Sequence, residues 1–188
     1  ECLKKVEIAG RKKVAGLNGL ISAWKYRGVI RKAIIATKYN FAFDVANELA
    51  VYFSRQLRIW EASFKNSVLV PIPLHPSRKR YRGFNQSEVL GKIIAKDMDW
   101  EYCPDLLVRR IATLPQVGLD SQKRKINLKG AFEINKNYSL MPSLPAQAGA
   151  YCLVLFDDVW TTGSTIKEAA QVLRKSGFKN IWGMTLAR

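Results

Sequence analysis

One stretch of the sequence decides the fold: residues 153–165 read LVLFDDVWTTGST. They continue an apolar run that starts at residue 151 and is typical of a buried β-strand. Such a strand would deliver Asp157 and Asp158 to its C-terminal tip, where open α/β sheets bind their ligands. Four hydroxyl side chains and Gly163 follow, and a helix is predicted directly after them from the spacing of the apolar residues 166–173. The pattern therefore predicts a strand, a polar turn and a helix that meet at one edge of a sheet.

The residue types in this turn favour a phosphorylated sugar as ligand. Free backbone N–H groups and the helix dipole make a helix N-terminus an anion site, and Gly163 lets the backbone approach a phosphate closely. Asp157 and Asp158 can accept hydrogen bonds from sugar hydroxyls or help to hold a divalent cation. A bare pair of aspartates would be better explained as a helix-capping turn, but the complete pattern favours the ligand site. Trp160 would either stack on a base or anchor the turn.

Composition describes a globular chain with a strong positive charge. The 188 residues suggest one domain, 48% of them are hydrophobic, and no apolar run approaches the roughly 18 residues of a membrane span. Lys and Arg number 31 against 15 Asp and Glu, so the net charge is +16. Residues 78–82 and 109–129 are strongly basic stretches. Such a field attracts nucleic acid, an anionic membrane surface or a phosphate-rich small ligand, although a solubilising surface is the alternative.

Cysteine usage and the N-terminus bear on metal binding and location. The three cysteines form no C-x-x-C pair, so neither a disulfide framework nor a complete zinc ribbon is predicted. No charged-then-apolar signal segment opens the sequence, which favours a cytoplasmic protein.

Predicted strands alternate with predicted helices along the chain, which argues for a mostly parallel α/β sheet. Strands are expected near residues 20–24, 67–72, 106–108, 131–134, 151–156 and 181–186. Helices are expected around residues 29–37 and 43–57, and a third from Asn85, which with Glu88 resembles a capping box, to about Met98. Residues 113–129 show no clean period and are predicted to be a long loop or lid.

The sequence also resembles a known family. The stretch 153–165 is similar to the phosphoribosyl pyrophosphate (PRPP) signature of type I phosphoribosyltransferases. Five further motifs resemble the ComF (ComFC) family of bacterial competence-associated proteins: VPIPLHP at 70–76, RGFNQ at 82–86, TLPQ at 113–116, RKIN at 124–127 and TLAR at 185–188. The resemblance covers residues from about 20 to 188.

This resemblance implies a type I phosphoribosyltransferase-like fold, with a mostly parallel central sheet, helices on both faces and a flexible lid. We expect that domain to span residues 18–188. Family members usually begin with a zinc-ribbon-like segment, so residues 1–17 are expected to be the remnant of a truncated ribbon. We expect no metal to be bound by this chain alone, because a tetrahedral zinc site needs four ligands. Zinc is expected only if the missing N-terminal segment is present.

The resemblance also implies roles for particular residues. Asp157 and Asp158 would bind the ribose hydroxyls and are the candidate catalytic residues. The 5-phosphate would be wrapped by Thr161, Thr162, Gly163, Ser164 and Thr165. A second set, in the loop after the 67–72 strand and in the lid, would face pyrophosphate or the DNA backbone: Arg78, Arg80, Arg82 and Arg124.

The activity implied is Mg²⁺-dependent transfer of phosphoribose from PRPP to an acceptor, with release of pyrophosphate, in association with DNA uptake. The alternative is a non-catalytic competence factor that binds single-stranded DNA and uses PRPP as a ligand. PRPP, single-stranded DNA and the competence machinery are therefore the expected partners. No sequence feature identifies the acceptor.

Overall fold

The computed structural model describes residues 8–39, 43–59, 64, 66–112, 128–135 and 151–188. Within these ranges the chain forms eight strands and five helices. The strands are β1 (Ile8–Lys12), β2 (Gly19–Trp24), β3 (Ser67–Pro71), β4 (Glu101–Tyr102), β5 (Leu107–Arg109), β6 (Phe132–Ile134), β7 (Cys152–Val159) and β8 (Ile181–Ala187). The helices are α1 (Gly28–Tyr39), α2 (Phe43–Leu57), α3 (Pro76–Arg82), α4 (Gln86–Asp97) and α5 (Ser164–Lys175). None of these helices is long and apolar enough to cross a membrane.

Six strands form the main sheet, in the order β1-β2-β8-β7-β3-β4. All neighbours in it are parallel except β1, which runs antiparallel to β2. Strands β5 and β6 pair with each other as a separate antiparallel ribbon. Because β2, β8, β7 and β3 are parallel, their C-terminal ends share one edge of the sheet, and β7 lies near the middle of that edge.

The sheet carries a hydrophobic core on each face, because side chains alternate along its strands. On one face, Phe156 of β7 belongs to the core that also contains buried residues of α1, α2 and α4. On the other face, Leu155 belongs to the core that includes α5 and the β5–β6 ribbon. The chain is therefore a mostly parallel α/β protein with helices on both faces, which confirms the predicted class.

Most elements lie where the sequence predicts them, and their ends have local causes. The side chain of Asn85 accepts a hydrogen bond from the Ser87 N–H at 3.1 Å and so caps α4, as the capping-box motif predicts. Helix α5 is followed by Gly177 with φ 96°, a left-handed conformation that glycine adopts without strain.

Two local predictions were wrong. The strand expected to end at residue 156 continues to Val159, because Asp157 pairs with Thr185 of β8; Asp157 and Asp158 lie at its C-terminal end, as expected, but inside the strand. Residues 76–82, predicted to be a loop, form the short helix α3. Its start is set by His75, whose ring accepts a hydrogen bond from the Ser77 N–H, and its end by Gly83 at φ 83°.

Strands β1 and β4 were not predicted at all. Strand β1 lies in the segment 1–17 and pairs with β2, so residues 8–12 belong to the main sheet. Residues 113–127 of the predicted lid, including Arg124, lie outside the described residues, as does Cys2.

Candidate functional site

A cavity of about 490 Å³ opens at the C-terminal edge of the sheet, and we call it the edge cavity. Three groups of residues from different elements line it. The acidic wall comes from the end of β7 and the turn before α5: Asp157, Asp158, Trp160, Thr161, Gly163 and Thr165. The arginine wall comes from the segment after β3, from α3 and from β5: Leu74, Arg78, Arg82 and Arg109. The α1 wall consists of Tyr26, Arg31 and Ile35.

Hydrogen bonds hold the Asp157 carboxylate of the acidic wall in place. Oδ1 of Asp157 accepts from the Ser87 hydroxyl at 3.0 Å and from the Asp158 N–H at 2.9 Å. Ser87 lies in the first turn of α4, so this contact ties that helix to the end of β7. Asp158 is only 8% exposed. The Asp157 carboxylate therefore stands in a fixed position at the cavity, and the buried Asp158 side chain lines the cavity beside it.

The turn before α5 has a conformation that only glycine suits. Gly163 has φ 74°, and a Cβ added there would overlap the indole ring of Trp160. The hydroxyls of Thr162 and Ser164 lie 2.9 Å apart and hydrogen-bond to each other. These two residues thus brace the turn and do not line the cavity, whereas the other three of the predicted phosphate set do.

Trp160 lies against the turn rather than away from it. Its ring packs on Gly163, and the Lys167 ammonium lies 5.8 Å above the ring centre. Its backbone N–H donates to the Ala187 carbonyl at 2.8 Å. Trp160 therefore anchors the turn to β8, and it also lines the edge cavity.

The predicted arginines are divided between the cavity and the surface. Arg78 and Arg82 line the edge cavity, one turn apart on α3. Arg80, between them, is exposed and is not part of the lining. The helical period thus separates three residues that the sequence grouped together.

Arg109 lines the same cavity and was not among the predicted site residues. It is 6% exposed, and its guanidinium lies 5.4 Å from the centre of the Phe132 ring. Burial, together with the charge of Arg78, lowers its pKa to about 10, although Asp157 opposes the shift. The sequence signal that could have identified Arg109 is a basic residue in a short apolar strand, on the same buried face of that strand as Leu107.

A buried polar link connects the helices around the cavity. The Gln86 side-chain N–H donates to the Thr37 hydroxyl at 2.7 Å, and Arg82 donates to the side-chain oxygen Oε1 of Gln86 at 3.1 Å. The link joins α1, α3 and the N-terminus of α4. The α1 wall and the arginine wall are therefore fixed relative to each other.

The residues present would suit a hard cation only together with a ligand. Among the described residues, no group of three or more His, Cys, Asp or Glu is arranged to hold a metal ion. Mg²⁺ is commonly bound by one or two carboxylates and completed by substrate phosphates and water. Asp157 and Asp158 offer such carboxylates. Cys103 and Cys152 are buried in different hydrophobic cores and do not form a disulfide with each other.

The fold and the site together define a type I phosphoribosyltransferase-like α/β protein: a mostly parallel sheet with helices on both faces, whose central strand carries two acids and a glycine turn into a helix. Sequence comparison gives the family. The chain is 32% identical over 136 residues to Competence protein F of Haemophilus influenzae, which covers 71% of the chain and 54% of that protein. Homologues named Competence protein F, ComFC and DNA utilization protein YhgH support membership of the chain in the ComF family.

Two further relatives agree with this assignment. DNA utilization protein YhgH of Escherichia coli K12 is 38% identical over 109 residues, 58% of the chain and 44% of that protein. Competence protein ComFC of Bacillus subtilis is 26% identical over 157 residues, 83% of the chain and 58% of that protein. The chain spans about half the length of these curated relatives. No protein-family model matches the chain.

Proposed function

We propose that the edge cavity binds PRPP together with Mg²⁺ and transfers its phosphoribosyl group to an acceptor. The observation that carries this proposal is the convergence of three features on one cavity. Two carboxylates, a glycine turn at a helix N-terminus and the three arginines of the arginine wall line the same cavity of about 490 Å³. A sugar that bears both a phosphate and a pyrophosphate matches these three features at once.

In this proposal the acidic wall binds the 5-phosphate and the ribose, and the arginine wall binds the pyrophosphate. The turn before α5 binds the 5-phosphate through backbone N–H groups and the helix dipole. Asp157 and Asp158 accept hydrogen bonds from the ribose hydroxyls and fix the ring. Arg78, Arg82 and Arg109 hold the pyrophosphate, which carries the most negative charge.

The reaction needs no protein nucleophile. A bond forms between the acceptor atom and ribose C1 as the bond from C1 to the pyrophosphate oxygen breaks, and the electron pair leaves with pyrophosphate. The acceptor loses its proton to solvent. The arginine wall stabilises the charge that develops on the leaving group, and the fixed acids position the ring for attack. Bound Mg²⁺ would supply further charge neutralisation on the pyrophosphate, next to the carboxylates.

A titration with PRPP and Mg²⁺ tests this proposal. Isothermal titration calorimetry should show PRPP binding more tightly than ribose 5-phosphate. The double variant Asp157→Asn, Asp158→Asn should lose about a hundredfold in affinity, since each hydrogen bond to a charged group contributes about 1.5–3 kcal/mol. Its thermal unfolding should stay cooperative. An unchanged PRPP affinity in the double variant would refute the site assignment.

We also propose a role in DNA uptake, in which the protein binds single-stranded DNA at its surface. The relatives are named for competence and DNA utilization, and the net charge of +16 favours a polyanion. A specific feature supports the contact point: Tyr81 is 92% exposed on α3, next to the exposed Arg80. An exposed aromatic ring beside cations is the arrangement on which single-stranded bases stack.

A pair of matched variants tests the DNA contact separately from the PRPP site. Tyr81→Ala combined with Arg80→Gln should weaken binding of a labelled single-stranded oligonucleotide about tenfold in fluorescence anisotropy, because base stacking contributes about 1–3 kcal/mol. The same variant should keep its PRPP affinity. Arg78→Gln, two residues away on the cavity side of α3, should show the opposite pattern. DNA binding that is insensitive to Tyr81 and Arg80, or to salt, would overturn this surface.

A further inference from the structure

The α1 wall differs from the other two walls because its polar side chains make no hydrogen bond or ion pair within the described part of the protein. The Arg31 guanidinium makes no hydrogen bond or ion pair with any described residue, and neither does the Tyr26 hydroxyl. The arginines of the arginine wall, by contrast, all have partners within the protein. Arg31 and Tyr26 nevertheless line the edge cavity beside the apolar side chain of Ile35.

We propose that the α1 wall is the acceptor subsite and that it takes a small planar anion, an aromatic or heteroaromatic ring that carries a carboxylate. This inference rests on the proposed transferase function and names its second substrate class.

The position follows from the topology of the sheet. In the strand order β2-β8-β7-β3, the acidic wall follows β7. The α1 wall begins just after β2, on one side of β7, and Leu74 and α3 follow β3, on the other side. A displacement at ribose C1 needs the acceptor and the leaving group on opposite sides of the sugar. With pyrophosphate on the arginine wall, the acceptor faces the α1 wall.

The surface of this wall selects a flat ring. Tyr26 is half-buried, packs against the core and is held by a hydrogen bond from its backbone N–H to the Arg188 carbonyl at 2.8 Å. Ile35 adds an apolar side chain one turn beyond Arg31 on α1. Small-molecule sites combine such apolar walls with a few polar groups, and their volumes of about 300–1,000 Å³ include that of the edge cavity.

The charge of the acceptor follows from Arg31. Four arginines and two aspartates line the edge cavity, so it carries an excess of positive charge. Arg31 is the arginine of the lining that no described partner occupies, and its planar guanidinium suits a carboxylate in a bidentate contact. A ring with a carboxylate edge therefore satisfies the Tyr26 face and the Arg31 charge together.

Two pairs of probes that differ in a carboxylate test this inference: orotate against uracil, and anthranilate against aniline. Each would be titrated calorimetrically into the protein alone and into the protein saturated with ribose 5-phosphate. We expect at least one acid to bind about tenfold more tightly than its neutral partner, the gain of one charge-assisted hydrogen bond. Arg31→Gln should abolish that preference. Lys32→Gln, an exposed neighbour outside the lining that removes the same charge, should preserve it.

The outcomes separate this inference from the proposed function. If PRPP binds but neither acid is preferred over its neutral partner, the acceptor class is wrong and the transferase proposal stands. Equal losses in Arg31→Gln and Lys32→Gln also overturn it, because they would show a general surface charge effect. An Arg31-dependent preference in a protein that does not bind PRPP supports the anion subsite and refutes the transferase proposal. Pyrophosphate release with PRPP and the preferred acid would support both.

Discussion

The acidic wall and the arginine wall face the same cavity but are built in different ways. The acidic wall is one continuous stretch, in which a strand, a turn and a helix follow each other within residues 152–175. The arginine wall joins Arg78 and Arg82 of α3 to Arg109 of β5, which belongs to a separate ribbon. The geometry of a continuous motif depends mainly on its local sequence, whereas a wall built from distant segments forms only once the whole chain has folded.

The two walls also differ in electrostatics. Asp157 accepts hydrogen bonds from neutral donors, the Ser87 hydroxyl and a backbone N–H, which stabilise its negative charge. Arg109 is buried near a second cation, Arg78, and both burial and that charge disfavour its ionised form. The Asp157 carboxylate is therefore stabilised without a ligand, whereas a bound anion would stabilise the charged form of Arg109 in the arginine wall.

We expect the largest effect on stability and binding at Gly163, because the geometry of the acidic wall depends on the backbone conformation of this residue. Gly163→Ala places a Cβ into the Trp160 ring at a left-handed φ of 74°. We expect the free energy of unfolding to fall by about 2–5 kcal/mol, about 1–2 from the backbone and the rest from overpacking. PRPP binding should be lost as well. Denaturant unfolding and calorimetry would measure the two effects.

Gly177→Ala is the matched control. Its φ is 96°, but a Cβ there meets nothing within 4 Å. It should lose only the backbone contribution, about 1–2 kcal/mol, and keep its affinity for PRPP. If the two variants were equally stable, the contact between Trp160 and the turn would have no energetic role.

A second effect, at Arg109, should separate stability from binding. The lowered pKa means that the folded state disfavours the charged guanidinium, and a shift from 12.5 to about 10 corresponds to about 3 kcal/mol. This cost is fully present at neutral pH, below both pKa values. Arg109→Met should therefore raise the free energy of unfolding by about 1–3 kcal/mol, while PRPP affinity falls about ten- to a hundredfold.

Arg110→Met is the control, because it removes the same charge from a neighbouring residue that is exposed. It tests whether the effects of Arg109→Met depend on the position of that residue in the cavity. Arg110 is exposed and pairs with Glu133 on the same ribbon. Because exposed ion pairs contribute at most about 1 kcal/mol, both stability and PRPP affinity should change little. A destabilised Arg109→Met protein with unchanged PRPP affinity would make Arg109 a structural residue and remove it from the arginine wall.

The same contrast explains how much the sequence predicts. Strands β2, β3, β7 and β8 were predicted because their apolar runs and flanking turns are local signals. Helix α3 was missed because seven residues with no buried side chain leave no hydrophobic period to detect; its signals are the His75 cap and Gly83. Strand β1 was missed because its five residues, IAGRK, do not alternate between apolar and polar side chains, and it is fixed by pairing with β2.

In the candidate site, the sequence predicts which segments of the chain contribute residues better than it predicts where their side chains point. Asp157, Asp158, Thr161, Gly163 and Thr165 line the edge cavity, and all come from the continuous motif. Arg80 and Arg109 show the limit. The first faces solvent because of helical periodicity, and the second reaches the cavity only because the β5–β6 ribbon packs beside the sheet. Tyr26 and Arg31 likewise reach the cavity through the packing of α1.

The smallest expected effect lies where α4 meets the acidic wall, at Ser87. This residue is buried and donates to Asp157 at 3.0 Å, while the Asp158 N–H donates to the same oxygen. Ser87→Ala should cost about 1 kcal/mol of unfolding free energy and weaken PRPP binding about fivefold, because Asp157 keeps one of its two donors. Ser77→Ala, which removes an exposed hydroxyl bonded to His75, should leave PRPP affinity unchanged. A loss in Ser87→Ala as large as that of Asp157→Asn would mean that the acidic wall depends on α4 for its geometry, and the contrast between a self-contained wall and a dispersed one would fail.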